Sequence, residues 1–89
     1  VERFPCLPLA YRAGAMGGVA PAYLNAADEV AVAAFLEHRL AFTGIPRLIE
    51  TVLDAAPDVE ATWDSIVSAD SEARRLATDI VEAGTYARA

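Results

Sequence analysis

Eighty-nine residues allow one hydrophobic core of modest size, near the length at which a core leaves only about 3–5 kcal/mol of net stability. Hydrophobic residues make up 55% of the chain, which excludes the apolar-poor composition of a disordered segment. The net charge is −6 and all seven basic residues are arginines, a balance that repels phosphate backbones and anionic bilayers and so excludes nucleic acid and membrane surfaces as expected partners.

The first predicted element is a helix from about Pro5 to Met16, with Cys6, Leu9, Ala13 and Met16 at the spacing of one inner face. Gly17-Gly18 ends it. Cys6 is the one cysteine, so it forms no internal disulfide, fits a reducing compartment and reads as a small core residue. The opening Val1-Glu2-Arg3-Phe4-Pro5 reads as the interior of a longer chain, and no basic stretch followed by an apolar one marks a secretory signal. A second helix spans Pro21 to Arg39, with proline in the first turn, where its missing N–H costs nothing. From Val30 to Leu36 this helix is apolar on every side, which predicts a segment buried all round at the centre of the domain. That run is also the longest apolar one, far short of the roughly 20 residues of a membrane span.

Ile45 to Ala56 is the clearest helix: Ile45, Leu48, Ile49, Val52, Leu53 and Ala56 form one stripe, opposite Arg47, Glu50, Thr51 and Asp54. Thr43 is the expected N-cap, Pro46 fits the first turn, and Pro57 stops the helix. The connection from Ala55 to Ala61 is the longest loop. The last helix is expected in two pieces. Thr62 caps a short one through Val67, with Asp64 complementing its dipole. Ser68 or Asp70 then caps a longer one with Ala73, Leu76, Ala77, Ile80 and Ala83 inside, ended by Gly84. No segment alternates as a strand does. The fold class is therefore all-α, a compact bundle of four to five helices with short loops, forming one domain over residues 1–89.

Little in the chain carries chemistry. Gly14, Gly17 and Gly18 do not make a nucleotide-binding fingerprint, and read as a helix terminator with one close-packing glycine. His38 between Glu37 and Arg39 suits a helix C-terminus, since residues adjacent in sequence do not converge on a metal. Asn25, Asp28 and Glu29 are the one polar constellation: they share a helix face that Val32 and Leu36 continue. The plain reading is a turn that reaches solvent or bonds a neighbouring loop, and the functional reading is a docking site for another domain. Helix spacing supplies too few ligands for a cation there, so no metal is assigned to it. Asp64-Ser65-Ile66 is similar to the site of an acyl carrier protein, where the serine accepts a phosphopantetheine arm. Here it lies too late in the chain, with one long helix after it and no glycine before the aspartate.

Longer segments carry a more specific resemblance. Phe4-Pro5-Cys6-Leu7-Pro8-Leu9-Ala10-Tyr11-Arg12-Ala13-Gly14 resembles the opening of the C-terminal region of the 1-deoxy-D-xylulose-5-phosphate (DXP) reductoisomerases. The likeness continues from Gly17 through Leu36, around the core Pro21-Ala22-Tyr23-Leu24-Asn25-Ala26-Ala27-Asp28-Glu29-Val30. It extends to Leu40-Ala41-Phe42-Thr43-Gly44-Ile45 and to Ser68 through Arg74. Asp28 departs from that family's more usual asparagine and adds a charge to the patch. The resemblance implies a cytoplasmic bacterial enzyme, usually a homodimer, that converts DXP to 2-C-methyl-D-erythritol 4-phosphate in non-mevalonate isoprenoid synthesis. It further implies NADPH and a divalent metal (Mg, Mn or Co) as cofactors of that enzyme, held by upstream domains whose motifs this chain lacks. This region would then be a supporting domain, inactive by itself, with the catalytic domain of the same enzyme as its partner and Asn25, Asp28 and Glu29 at or near the contact. A free-standing helical interaction module is the other reading.

Overall fold

The computed structural model describes the backbone of residues 6–88 and the surroundings of residues 8–88. Among these described residues four helices follow one another: α1 (Cys6–Met16), α2 (Ala20–Leu36), α3 (Gly44–Asp54) and α4 (Trp63–Ala83). No strand occurs among the described residues, so the all-α bundle expected from periodicity is the fold. The radius of gyration, 12.4 Å, is close to the roughly 12 Å of a compact domain of this length.

α3 supplies the large side chains of the core. Its stripe faces inward as its spacing dictates: Leu48, Ile49, Val52 and Leu53 are fully buried, and Ile45 and Ala56 pack at the margin. Removing four such side chains from water favours folding by roughly 6–12 kcal/mol before chain entropy is counted. Thr43, however, makes no side-chain cap hydrogen bond and is itself in a helical conformation. The orphan N–H groups at this end go instead to backbone: Gly44 N–H to the Ala41 carbonyl (2.8 Å) and Ile45 N–H to that of Phe42 (3.2 Å). Leu40 is buried, so the turn that anchors it already satisfies the helix start.

α2 and α4 meet through small residues. Ala20, Ala27, Ala31 and Ala34 of α2, and Ala69, Ala73 and Ala77 of α4, are all buried and recur at helical spacing. The two helices run in the same direction: Val19 and Tyr23 share a cleft with Ser65 and Ala69 at one end, and Glu29 meets Arg74 midway. Just past the other end the Ala41 N–H donates to the Tyr86 carbonyl (3.2 Å). α3 runs the opposite way, starting beside Tyr86 and ending where Asp54 pairs with Arg12 of α1. Glycine is required where backbones close in. Gly44 lies so near Tyr86 that a Cβ would sit 2.6 Å from its carbonyl oxygen. Gly18 has φ +56 and faces the Val59 carbonyl, which ties the α1–α2 turn to the loop before α4.

Several expectations need correction. α4 is not interrupted at Ser68–Asp70 but runs unbroken from Trp63 to Ala83. Ala69, Ala73, Ala77 and Val81 form one inner ridge in steps of four, and Asp70 turns outward to pair with Arg74, so neither Ser68 nor Asp70 is needed as a cap. α2 ends at Leu36, not Arg39. His38 takes a left-handed conformation (φ 62) just beyond, and the Arg39 N–H closes back on the Ala34 carbonyl at 2.8 Å. Nor is the Val30–Leu36 segment buried all round: Ala31 and Ala34 are covered, whereas Val32, Ala33 and Leu36 are exposed. Met16, expected on the inner face of α1, is exposed too. The expected core position of Cys6 lies outside the residues whose surroundings are described.

Candidate functional site

The Asn25/Asp28/Glu29 turn sits on α2 one turn past the buried Ala20 and Tyr23, on the face that packing leaves free. All three side chains are exposed, and the structure divides them between two sides. Asn25 donates from Nδ2 to Glu29 Oε2 (3.3 Å), one turn along the helix. Glu29 Oε1 accepts from the Arg74 guanidinium of α4 (3.4 Å), which also reaches both oxygens of Asp70 (3.1 and 3.4 Å). The bonds to Asp70, with the charges of Asp70 and Glu29, raise Arg74 above its ordinary value against an opposing desolvation. A chain Asn25–Glu29–Arg74–Asp70 thus crosses from α2 to α4.

Asp28 points elsewhere. With Asn25 it lines a recess of about 350 Å³ on the α1/α3 side, beside Ala10, Pro21, Leu24 and Ile49. Among the described residues it has neither a hydrogen-bond nor an ion-pair partner. The face carrying these groups continues into apolar surface, as the spacing requires: Val32 is exposed, Leu36 is 69% exposed, and Phe42 beyond the helix end is 67% exposed with its ring edge-on to Phe35 at 5.6 Å. Arg74 was absent from the sequence-derived constellation. Its pairing with Asp70 four residues earlier is legible in sequence, but the reach to Glu29 depends on the packing of α2 against α4.

A larger cleft of about 500 Å³ opens between the start of α2 and that of α4, lined by Val19, Tyr23, Ser65, Ser68 and Glu72 among others. Burial, and then the Glu72 charge, push the Tyr23 phenol above its ordinary value of 10.0. Ser65, the serine of the carrier-like tripeptide, is part of a capping box. Its Oγ accepts from the Thr62 N–H (2.7 Å) and donates to the Glu60 carbonyl (2.7 Å), while Thr62 Oγ1 accepts from the Ser65 N–H (3.1 Å). Thr62 is the N-cap its sequence position predicts, and nothing favours the carrier reading. Among the described residues no group of three or more His, Cys, Asp and Glu side chains is placed to hold a metal ion. Among the described residues no helix is long and apolar enough to cross a membrane.

The family model for the DXP reductoisomerase C-terminal domain matches residues 1–76. A 1-deoxy-D-xylulose 5-phosphate reductoisomerase of Methylococcus capsulatus is 54% identical over 92% of this chain and 21% of its own length. Those of Cellvibrio japonicus and Burkholderia multivorans are each 55% identical, over 91% and 89% of the chain. The chain spans about one fifth of the length of these relatives. No solved structure matches it. With a family model over most of its residues and relatives identical at more than half of the aligned positions, the chain belongs to the DXP reductoisomerase C-terminal domain family.

Proposed function

We propose that residues 1–89 are one helical domain at the C-terminal side of a longer reductoisomerase, where they support the catalytic part without reacting themselves. The observation that carries this is the asymmetry of the matches, which cover about nine tenths of this chain but about a fifth of each relative. The reaction is then the NADPH-dependent conversion of DXP to 2-C-methyl-D-erythritol 4-phosphate, in the cytoplasm of a bacterium and in a homodimer. NADPH and the divalent metal are held by the preceding four fifths of the polypeptide. Supporting domains act on rate by fixing geometry, because the tightness of a first layer of contacts depends on what stands behind it.

Asn25, Asp28 and Glu29 are the polar centre of the contact with the catalytic domain, with Val32 and Leu36 as its apolar continuation. Asp28, exposed beside a recess, is available to a donor on that domain. In the whole enzyme, Asn25→Ala with Glu29→Ala is expected to lower kcat/KM on the order of ten-fold through misplacement of the catalytic part. The 89-residue chain with the same substitutions should stay folded, within about 1 kcal/mol, because it loses only exposed polar pairs. Unchanged activity together with unchanged domain stability would reduce the patch to ordinary surface.

A further inference from the structure

The first turns of α4 carry a second apolar surface that the reading above does not use. Trp63 is 80% exposed, Val67 53% and Ile66 40%. Positions 63, 66, 67, 70 and 74 follow the three-and-four spacing of one helical stripe, so the three apolar side chains stand on the same flank as Asp70 and Arg74. Arg74 in turn holds Glu29. Because α2 and α4 run in the same direction, the bonded network lies between two apolar ends, Trp63/Ile66/Val67 towards the start of α4 and Val32/Leu36 towards the end of α2. Nor is the tryptophan turn left to fray: the Thr62/Ser65 capping box fixes it directly at Trp63.

We infer that Trp63, Ile66 and Val67 form a second docking surface for the remainder of the same polypeptide, so that the domain is held along one face at both ends of the α2/α4 pair. The inference rests on the reading that this chain is one domain of a longer reductoisomerase. The three side chains offer on the order of 400 Å² of apolar surface, about half of it from the indole. That is close to the apolar share, a little over half, of the roughly 800 Å² per partner that a stable association between separate molecules buries. A tethered partner needs less, because the linker holds it at an effective concentration near millimolar. The relatives place about four fifths of their length outside the region matched here, which is ample to supply such a partner.

Hydroxyl-radical footprinting with peptide mass spectrometry tests this at Trp63, the one tryptophan of the chain. In the whole protein the rate of Trp63 oxidation should fall at least five-fold relative to the 89-residue chain, independently of protein concentration. Equal rates would overturn the inference. So would protection that is lost when the subunits of the homodimer are separated, or that develops in the 89-residue chain on concentration, since either identifies a second copy as the cover. The readout requires no enzymatic activity, so it fails separately from the proposed role of Asn25 and Glu29.

Discussion

His38 shows how one residue can hold a conformation its type does not favour. At φ 62 its Cβ crowds the following carbonyl, a strain of about 1–2 kcal/mol for an L-residue that glycine escapes. The conformation persists because it lets the His38 N–H reach the Phe35 carbonyl (3.0 Å) and the Arg39 N–H that of Ala34 (2.8 Å), closing the end of α2 before Leu40 enters the core. His38→Gly should relieve the strain, less about 0.5–1 kcal/mol for the extra freedom of glycine in the unfolded chain. The net expectation is a gain of roughly 0.5–1 kcal/mol, a rise in Tm of about 3–6 °C by differential scanning calorimetry. A fall in Tm would show that the imidazole makes a contact worth more than the strain. In sequence His38 reads only as a residue suited to a helix C-terminus, because a left-handed histidine has no periodic signature.

Among the elements, α4 depends most on a local device. Its start is satisfied by Thr62 and Ser65 in both directions, and Ser65 Oγ also caps the Glu60 carbonyl of the approaching loop. Ser65→Ala removes the acceptor of the Thr62 N–H and the donor to Glu60, leaving only the Thr62 half of the box. A loss of about 1 kcal/mol, or about 5 °C in the Tm of this small domain, is expected in thermal unfolding followed by circular dichroism. No change would mean that water replaces both bonds at no cost. The same helix marks what sequence periodicity can and cannot resolve. The stripe of α3 is legible because large apolar residues stand against charged ones at every turn. The supposed break in α4 is not real: serine and aspartate offer local alternatives to the backbone, but the alanine ridge through Ala69, Ala73 and Ala77 buries continuously against α2 and outweighs them. On α2, alanines and valines on all sides give periodicity nothing to contrast, so which side stays open is decided by where α3 and α4 pack.

At the scale of the molecule, the core is apolar but for the Tyr23 phenol, and the charged groups lie outside it. Among the described residues no other polar and no charged side chain is buried, and none leaves a buried nitrogen or oxygen without a hydrogen bond. The ion pairs that join helices, Arg12 with Asp54 and Glu50 and Arg74 with Glu29, are at least two-fifths exposed at every partner, so each adds at most about 1 kcal/mol. Stability therefore rests on the α3 stripe and the α2/α4 alanines, and the outer faces of α2 and α4 can be covered without rearranging that core. Covering them would act on folding as a ligand does. With a tethered contact at about one hundred times its dissociation constant, the folded domain gains about 2.7 kcal/mol. Amides that open only by global unfolding would then exchange about one hundred-fold more slowly in the whole protein. Hydrogen exchange at Val52, Leu53, Ala73 and Ala77 measures this directly, with the 89-residue chain as reference. Asn25→Ala with Glu29→Ala should return part of the difference, while Trp63→Ser returns a separate part. Identical exchange in the two contexts would mean that no interdomain energy reaches the domain, and the supporting role would fall even if both faces proved to be covered.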